Sequence, residues 1–225
     1  MKKFFFTLLL TAVFSLSGAE LLFEINKQGS IALVQCQMLG FSGIGLDRFV
    51  GYSFNGRDSL FWFETLKKEQ LQKEFTIVLT AAVHSLPPEK KVVPLFLRPG
   101  FHNCIAIDSS GVLSYSIWYL KTDGTKGVIK IKTAKSIRIG KGRLNRIVVT
   151  AETLANDQLR ARLWYNGGLV GEKTVNGKGF FKYSKNIYIG SAPKHLTGFS
   201  VLDGVIRSVQ ICNNVLPENE IIKLR

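Results

Sequence analysis

The chain has 225 residues, 30 Lys and Arg against 16 Asp and Glu, and three cysteines, Cys36, Cys104 and Cys212. That length allows one sizeable core or two small ones, and the odd, scattered cysteines match neither a disulfide scaffold nor a zinc pattern. The formal net charge of +14 favours polyanionic partners over neutral ones.

The first residues, MKKFFFTLLLTAVFSLSGAE, have the form of a secretory signal peptide: two lysines, an apolar run from Phe4 to Val13, then small residues at Ser17 and Ala19. The run is shorter than the ~20 apolar residues a spanning helix needs, so cleavage near Ala19 is expected rather than anchoring. Removal of 19 of the 225 residues leaves 206, read as a single domain over 20–225, and loss of Lys2 and Lys3 lowers the charge from +14 to +12. The expected location is extracytoplasmic, with no membrane span once the signal is cleaved.

Residues 20–74 are less regular, but LLFEI, FVGYSF and LFWFE are expected to add edge strands to the same body, and LKKEQLQKE (66–74) two helical turns. From Phe75 onward, short runs of β-branched, aromatic and aliphatic residues alternate with turn residues. FTIVLTAAV, VVPLFL, NCIAID, VLSYSIWYL, VIKIKT, SIRI, RIVVTAE, LRARLWY, LVGEKTV, NIYIG and GVIRSVQIC read as strands. Between them, DSSG, KTDGTKG, NGG and VNGKG place Gly, Asn and Asp where tight reversals need them. VLPENEIIKLR predicts a short closing helix with Pro217 in its first turn, Glu218 and Glu220 at its positive end, and Leu216 and Ile221 pinning it over the end of the body. The fold class is therefore all-β, a two-sheet antiparallel sandwich with at most one or two short helices. The three cysteines sit among apolar neighbours and read as buried thiols, with one bridge open in an oxidising compartment.

The closing stretch GVIRSVQICNNVLPENEI resembles the end of the concanavalin A-like lectin/glucanase superfamily, in its laminin G-like jelly-roll branch. FTIVLTAAVHSLPP, IAIDSSGVLSYSI, RLNRIVVTAE, LRARLWYNGGLV and NIYIGSAP resemble other strands of that branch in the same order, so the resemblance covers residues 75–225. It implies a jelly roll and a lectin-like class. Where the branch carries Trp and two His before its central strand, this chain has Leu144, Asn145 and Arg146; where the closing strand is acidic, it has Arg207 and Ser208. No family calcium site, and no other metal or cofactor, is expected.

The superfamily also contains glycoside hydrolases, whose retaining chemistry needs two carboxylates ~5 Å apart. No acidic residues alternate along a strand as ExDxxE, there is no GxSxG, and His84, His102 and His195 stand at turns or strand starts with no obvious acid and nucleophile beside them. The chain therefore reads as a non-enzyme.

What remains is a binding surface. In VLSYSIWYL, alternation sets Leu113, Tyr115, Ile117 and Tyr119 against Ser114, Ser116 and Trp118; in LRARLWY it sets Leu159, Ala161, Leu163 and Tyr165 against Arg160, Arg162 and Trp164. Trp118 and Trp164 are the candidate sugar-stacking platforms, because an indole covers the apolar face of a pyranose while Ser or Arg groups bond its hydroxyls. Packing beneath a loop is the competing reading of either indole. Nine basic residues lie between Lys121 and Arg146 against Asp123 alone, and Lys130 and Lys132 share one strand face.

The expected function is non-catalytic carbohydrate binding, favouring an acidic glycan or anionic envelope polymer through Trp118, Trp164, Arg160, Arg162, Lys130 and Lys132. A structural or adhesive module with a protein partner and a divergent glycoside hydrolase are the alternatives. Nucleic acid is favoured by charge alone, since the aromatics follow no RNA-binding motif.

Overall fold

The computed structural model describes residues 21–25, 31–33, 36–42, 44–47, 51–65, 71–99, 103–181 and 186–224. The stretch read as a signal peptide, residues 66–70 and His102 lie outside the described residues. In chain order the elements are β1 (Leu21–Ile25), β2 (Ile31–Leu33), β3 (Cys36–Ser42), β4 (Ile44–Asp47), β5 (Gly51–Asn55), β6 (Leu60–Thr65), β7 (Leu71–Gln72), β8 (Glu74–Ser85) and β9 (Val92–Arg98). There follow β10 (Asn103–Asp108), β11 (Leu113–Leu120), β12 (Lys126–Lys132), β13 (Leu144–Thr153), β14 (Gln158–Tyr165), β15 (Gly168–Asn176), β16 (Gly179–Phe181), β17 (Asn186–Ile189), β18 (Asp203–Cys212) and α1 (Glu218–Lys223).

The strands form two antiparallel sheets, a jelly-roll sandwich. Sheet A runs β15-β14-β13-β8-β18-β1-β2, with β5 also paired to β18 and β4 to β5; sheet B runs β3-β6-β17-β9-β10-β11-β16-β7, with β12 along the other edge of β11. Pairing follows side-chain alternation, because every strand must turn its apolar set inward. From sheet A, Ile77, Leu79, Ile147, Val149, Leu163 and Val209 face Ile105, Ile107, Tyr115, Ile117 and Ile129 of sheet B in one continuous core. Each fully buried aliphatic or aromatic side chain there contributes roughly 1.5–3 kcal/mol relative to exposure.

β8 and β18 hold the centre of sheet A. β18 pairs with β8 along its length, and its other edge is shared by β5 at Asp203–Ile206 and β1 at Val209–Cys212. LLFEI and LFWFE therefore are not edge strands: β1 lies between β18 and β2, and β6 between β3 and β17. The described end of LKKEQLQKE, residues 71–74, departs from its helical reading as well, since Leu71 and Gln72 pair with β16 and Glu74 opens β8. The pull of neighbouring strands outweighs local helix propensity there. Pro94 sits inside sheet B because the ladder shifts at Ile105/Ala106, relieving it of a bond it cannot donate.

α1 forms at the predicted residues, following Pro217, with Glu218 and Glu220 in its first turn and Lys223 in its last. It lies over the outer face of sheet A rather than over an end of the sandwich. Leu216 and Ile221 bury against Val78, Val148 and Trp164, and the Thr76 hydroxyl donates to the Asn214 carbonyl (2.7 Å) while accepting from the Leu216 amide (3.0 Å).

Candidate functional site

The sequence-predicted residues divide between the two sheets. On β11, Leu113, Tyr115, Ile117 and Tyr119 are buried and Ser114, Ser116, Trp118 and Leu120 are half-buried, as alternation predicts. β12 buries Ile129 and Ile131 and exposes Lys126, Lys130 and Lys132. The register sets Ser114 opposite Lys132, Ser116 opposite Lys130 and Trp118 opposite Val128. Directly paired residues share a face, so hydroxyls, ammoniums and the indole stand side by side on the outside of sheet B. Beyond Leu120, the Lys126 ammonium lies over the Phe181 ring at 6.0 Å.

The basic run continues past Lys132 into the 133–143 loop, where Lys135, Arg138, Lys141 and Arg143 are exposed. Strapping fixes this loop. Thr133 Oγ1 donates to the Ile137 carbonyl, the Ile139 amide donates to the Gly111 carbonyl, and the Gly142 amide donates to the Val83 carbonyl. Asn145, fully buried, holds it from beneath: its Oδ1 accepts from the Gly140 amide and the Tyr165 hydroxyl, and its Nδ2 donates to the Gly140 and Arg143 carbonyls. The sequence offered a signal for this anchor, an amide side chain in phase with the inward-facing Ile147, Val149 and Ala151 of the same strand.

Asp108 closes the end of this face. Burial raises its carboxyl, but hydrogen bonds from the Ser110 hydroxyl and the Val112 and Ser110 amides, with the charge of Lys132, outweigh that and hold it below the ordinary value. It is a fixed negative point beside the lysines. Cys104, paired with Ser116 and so on the same outer face, is a free buried thiol pushed up to about 12 by its burial.

Trp164, Arg160 and Arg162 belong to sheet A, and there the sequence reading is corrected. Trp164 does point away from the sandwich core, but α1 covers it and leaves 1% exposed, so it offers no platform. Arg160 makes a two-pronged contact with Glu152 across the β13–β14 pair, 2.9 Å from Nε and 2.8 Å from Nη2. Arg162 bonds Glu172 at 2.6 Å and stands 4.0 Å from Glu152. Both guanidiniums are committed to cross-strand partners rather than open to a ligand.

One histidine does have an acid beside it. His84 Nδ1 is 3.9 Å from Asp203, and the Ser85 hydroxyl donates directly to the other oxygen of the same carboxylate. This is not the order of a nucleophilic relay, in which serine gives its proton to histidine and the acid orients the ring from behind. Among the described residues no cluster of three or more His, Cys, Asp or Glu is placed to hold a metal ion.

These elements define a two-sheet antiparallel jelly-roll sandwich with a cationic, indole-bearing outer face. No family model and no curated protein sequence matches the chain. Among solved structures it is similar to the receptor-binding domain of botulinum neurotoxin type G, at 10% identity and a TM-score of 0.61. It is similar also to the ligand-binding domain of serotype D in complex with N-acetylneuraminic acid, at 9% and 0.66. A type C neurotoxin structure, whose cell entry is described as dependent on two ganglioside molecules, follows at 13% and 0.62. Each covers 91% of this chain and 50% of the other, so the chain spans about half the length of the structures it matches. At these identities the likeness is one of fold.

Proposed function

We propose that the protein is a non-catalytic carbohydrate-binding module that engages acidic glycans on the outer face of β11 and β12. The observation that carries this reading is the register: Lys130 and Lys132 stand opposite Ser116 and Ser114, beside a half-buried Trp118, on a face the sandwich core does not use. A pyranose ring laid on the indole would keep its hydroxyls within reach of the serines and its acidic groups near the ammoniums. The strapped loop with Lys135, Arg138, Lys141 and Arg143 extends the same positive field, which speeds capture of a polyanion and makes it salt-sensitive.

Two further lines support the reading. The segments of residues 75–225 resemble the concanavalin A-like, laminin G-like branch, and the sandwich is shared with proteins described in complex with N-acetylneuraminic acid or as dependent on gangliosides. The absence of catalysis belongs to the proposal, as do export with cleavage near Ala19 and a single domain over residues 20–225.

A glycan-array screen at low and high salt tests it. Binding to acidic glycans that weakens with salt, is lost in K130A/K132A and W118A and persists in R160A is the expected outcome. Undetectable binding at millimolar glycan overturns the reading, and a stable envelope-protein complex in its place would assign the sandwich to protein interaction.

A further inference from the structure

At the end of the sandwich where β5 and β8 finish and β18 begins, a cleft of about 580 Å³ opens between the 56–58 turn, the 86–91 loop and the 191–201 loop. Its size falls within the ~300–1,000 Å³ typical of small-ligand sites. We propose that this cleft binds a carboxylated pyranose, the acidic unit of a glycan, as a site separate from the β11–β12 face. The inference rests on the carbohydrate-binding reading but uses different residues.

Charge comes first. Arg57, Lys91 and Lys194 line the cleft and are exposed, and none is ion-paired among the described residues. The one carboxylate in the lining, Asp203, is held by the Ser85 hydroxyl. Three cations against one anion, gathered around a concavity, favour a singly charged acidic ligand over a neutral one. Asp203 keeps acceptor capacity for sugar hydroxyls, since a carboxylate offers about four lone-pair sites.

The apolar part of the lining asks for a ring. Phe199 and Leu196 are half-buried and rest on the outer cluster of Leu97, Cys104, Ala106 and Tyr188, so they form a supported wall. A pyranose presents C–H groups to such a wall while its hydroxyls face polar atoms. Ser200, also in the lining, has a buried hydroxyl with no hydrogen-bond partner, spare polar capacity next to Phe199.

The walls are fixed before any ligand arrives. Asn55 Oδ1 accepts from the amides of Arg57 (2.9 Å), Asp58 (3.1 Å) and Ser59 (3.3 Å), which holds the turn that carries Arg57. Gly56 takes a positive φ of 73°, its amide donates to the Leu202 carbonyl at 2.9 Å, and a Cβ there would come within 3.0 Å of the Asp203 side chain. Across the cleft, the Val92 amide donates to the Gly198 carbonyl and the Ser200 amide to that of Val92, which fastens the third wall to β9. Preorganisation of this kind lowers the entropy cost of binding a small ligand.

The test is a titration of the ¹⁵N-labelled protein with N-acetylneuraminic acid, glucuronic acid and glucose, followed by amide chemical shifts. The acidic sugars are expected to shift Gly56, Lys194 and Phe199 and to saturate with a Kd on the order of 1 mM. R57A/K194A removes two of the three cations and weakens this about tenfold or more, while K130A/K132A leaves it unchanged. No shifts at those amides in the folded protein, equal response to glucose, or indifference to R57A/K194A overturns the proposal. If the cleft titration succeeds but K130A/K132A keeps all array binding, the face reading fails and the cleft stands; the reverse pattern fails the cleft alone.

Discussion

Replacing each of two tryptophans by alanine separates a buried indole from a binding one. Trp164 is 1% exposed and packs against Val78, Val148, Leu216 and Ile221. Removal of a buried Trp or Phe side chain typically costs about 3–5 kcal/mol. Two features move the value toward the lower bound: Trp164 Nε1 has no hydrogen-bond partner, so no bond is lost, and α1 sits at the surface where it can settle into the gap. The expected loss for W164A is therefore about 3 kcal/mol, read as a fall in the urea midpoint by far-UV circular dichroism at unchanged slope. W164F, which removes the orphaned N–H and keeps most of the volume, should cost less than about 1.5 kcal/mol. W118A, at a half-buried position on the open face, should stay within about 1 kcal/mol of the parent yet lose glycan binding. A W164A loss below about 1 kcal/mol, or equal losses for the two alanine variants, would refute the assignment of Trp164 to the underside of α1.

Three further predictions follow from groups with defined partners. N145A strands the Gly140 and Arg143 carbonyls beneath the basic loop and leaves the Gly140 amide only the Tyr165 hydroxyl at 3.2 Å; it should destabilise by about 2–4 kcal/mol and speed hydrogen exchange at Gly140, and unchanged exchange would exclude the anchoring role. Asp108 has a folded-state pKa below its unfolded value, so its stabilisation is present above the ordinary Asp value of about 3.9 and disappears as pH falls through the lower folded value. D108N should accordingly flatten the acid limb of Tm against pH below about 4, and superimposable limbs would count against it. R160A and R162A remove partly exposed cross-strand pairs and should each cost no more than about 1 kcal/mol without altering the glycan-array profile; loss of binding in either would return sheet A to the candidate site.

Alternation carried much of the fold. It sorted β11 residue by residue and put Lys130 and Lys132 outward, because those strands have one buried face and one open one. The Asn-Gly reversal after β14 was equally readable: Asn166 and Gly167 take the positive φ values that few other residues adopt cheaply. The same alternation correctly turned Trp164 away from the core and then misled, since α1, packed from more than fifty positions further on, covers that outer face. Arg160 and Arg162 went astray similarly. Their partners Glu152 and Glu172 come from neighbouring strands, and pairing of that kind is decided by register rather than by sequence proximity. The end cleft gave no periodic signal at all, because Arg57, Lys91 and Lys194 stand on three separate turns.

The central pairing of sheet A sets the order of events in folding. β8 buries nine consecutive residues, Phe75 to Val83, and its partner β18 arrives far later in the chain; Thr76 and Asn214, which bond one another, are 138 positions apart. Until residues 203–212 have emerged, one edge of β8 is open and Val78 on its outer side is uncovered, since α1, which covers it, follows β18. Closure across so long a loop is slow, in the millisecond-to-second range for β-rich topologies, and an unpaired apolar edge is the surface on which chains pair with one another. A cell making this protein faces an interval in which β8 lacks the strand that closes its edge, and the yield of folded protein should depend on how well nascent chains are kept apart during it.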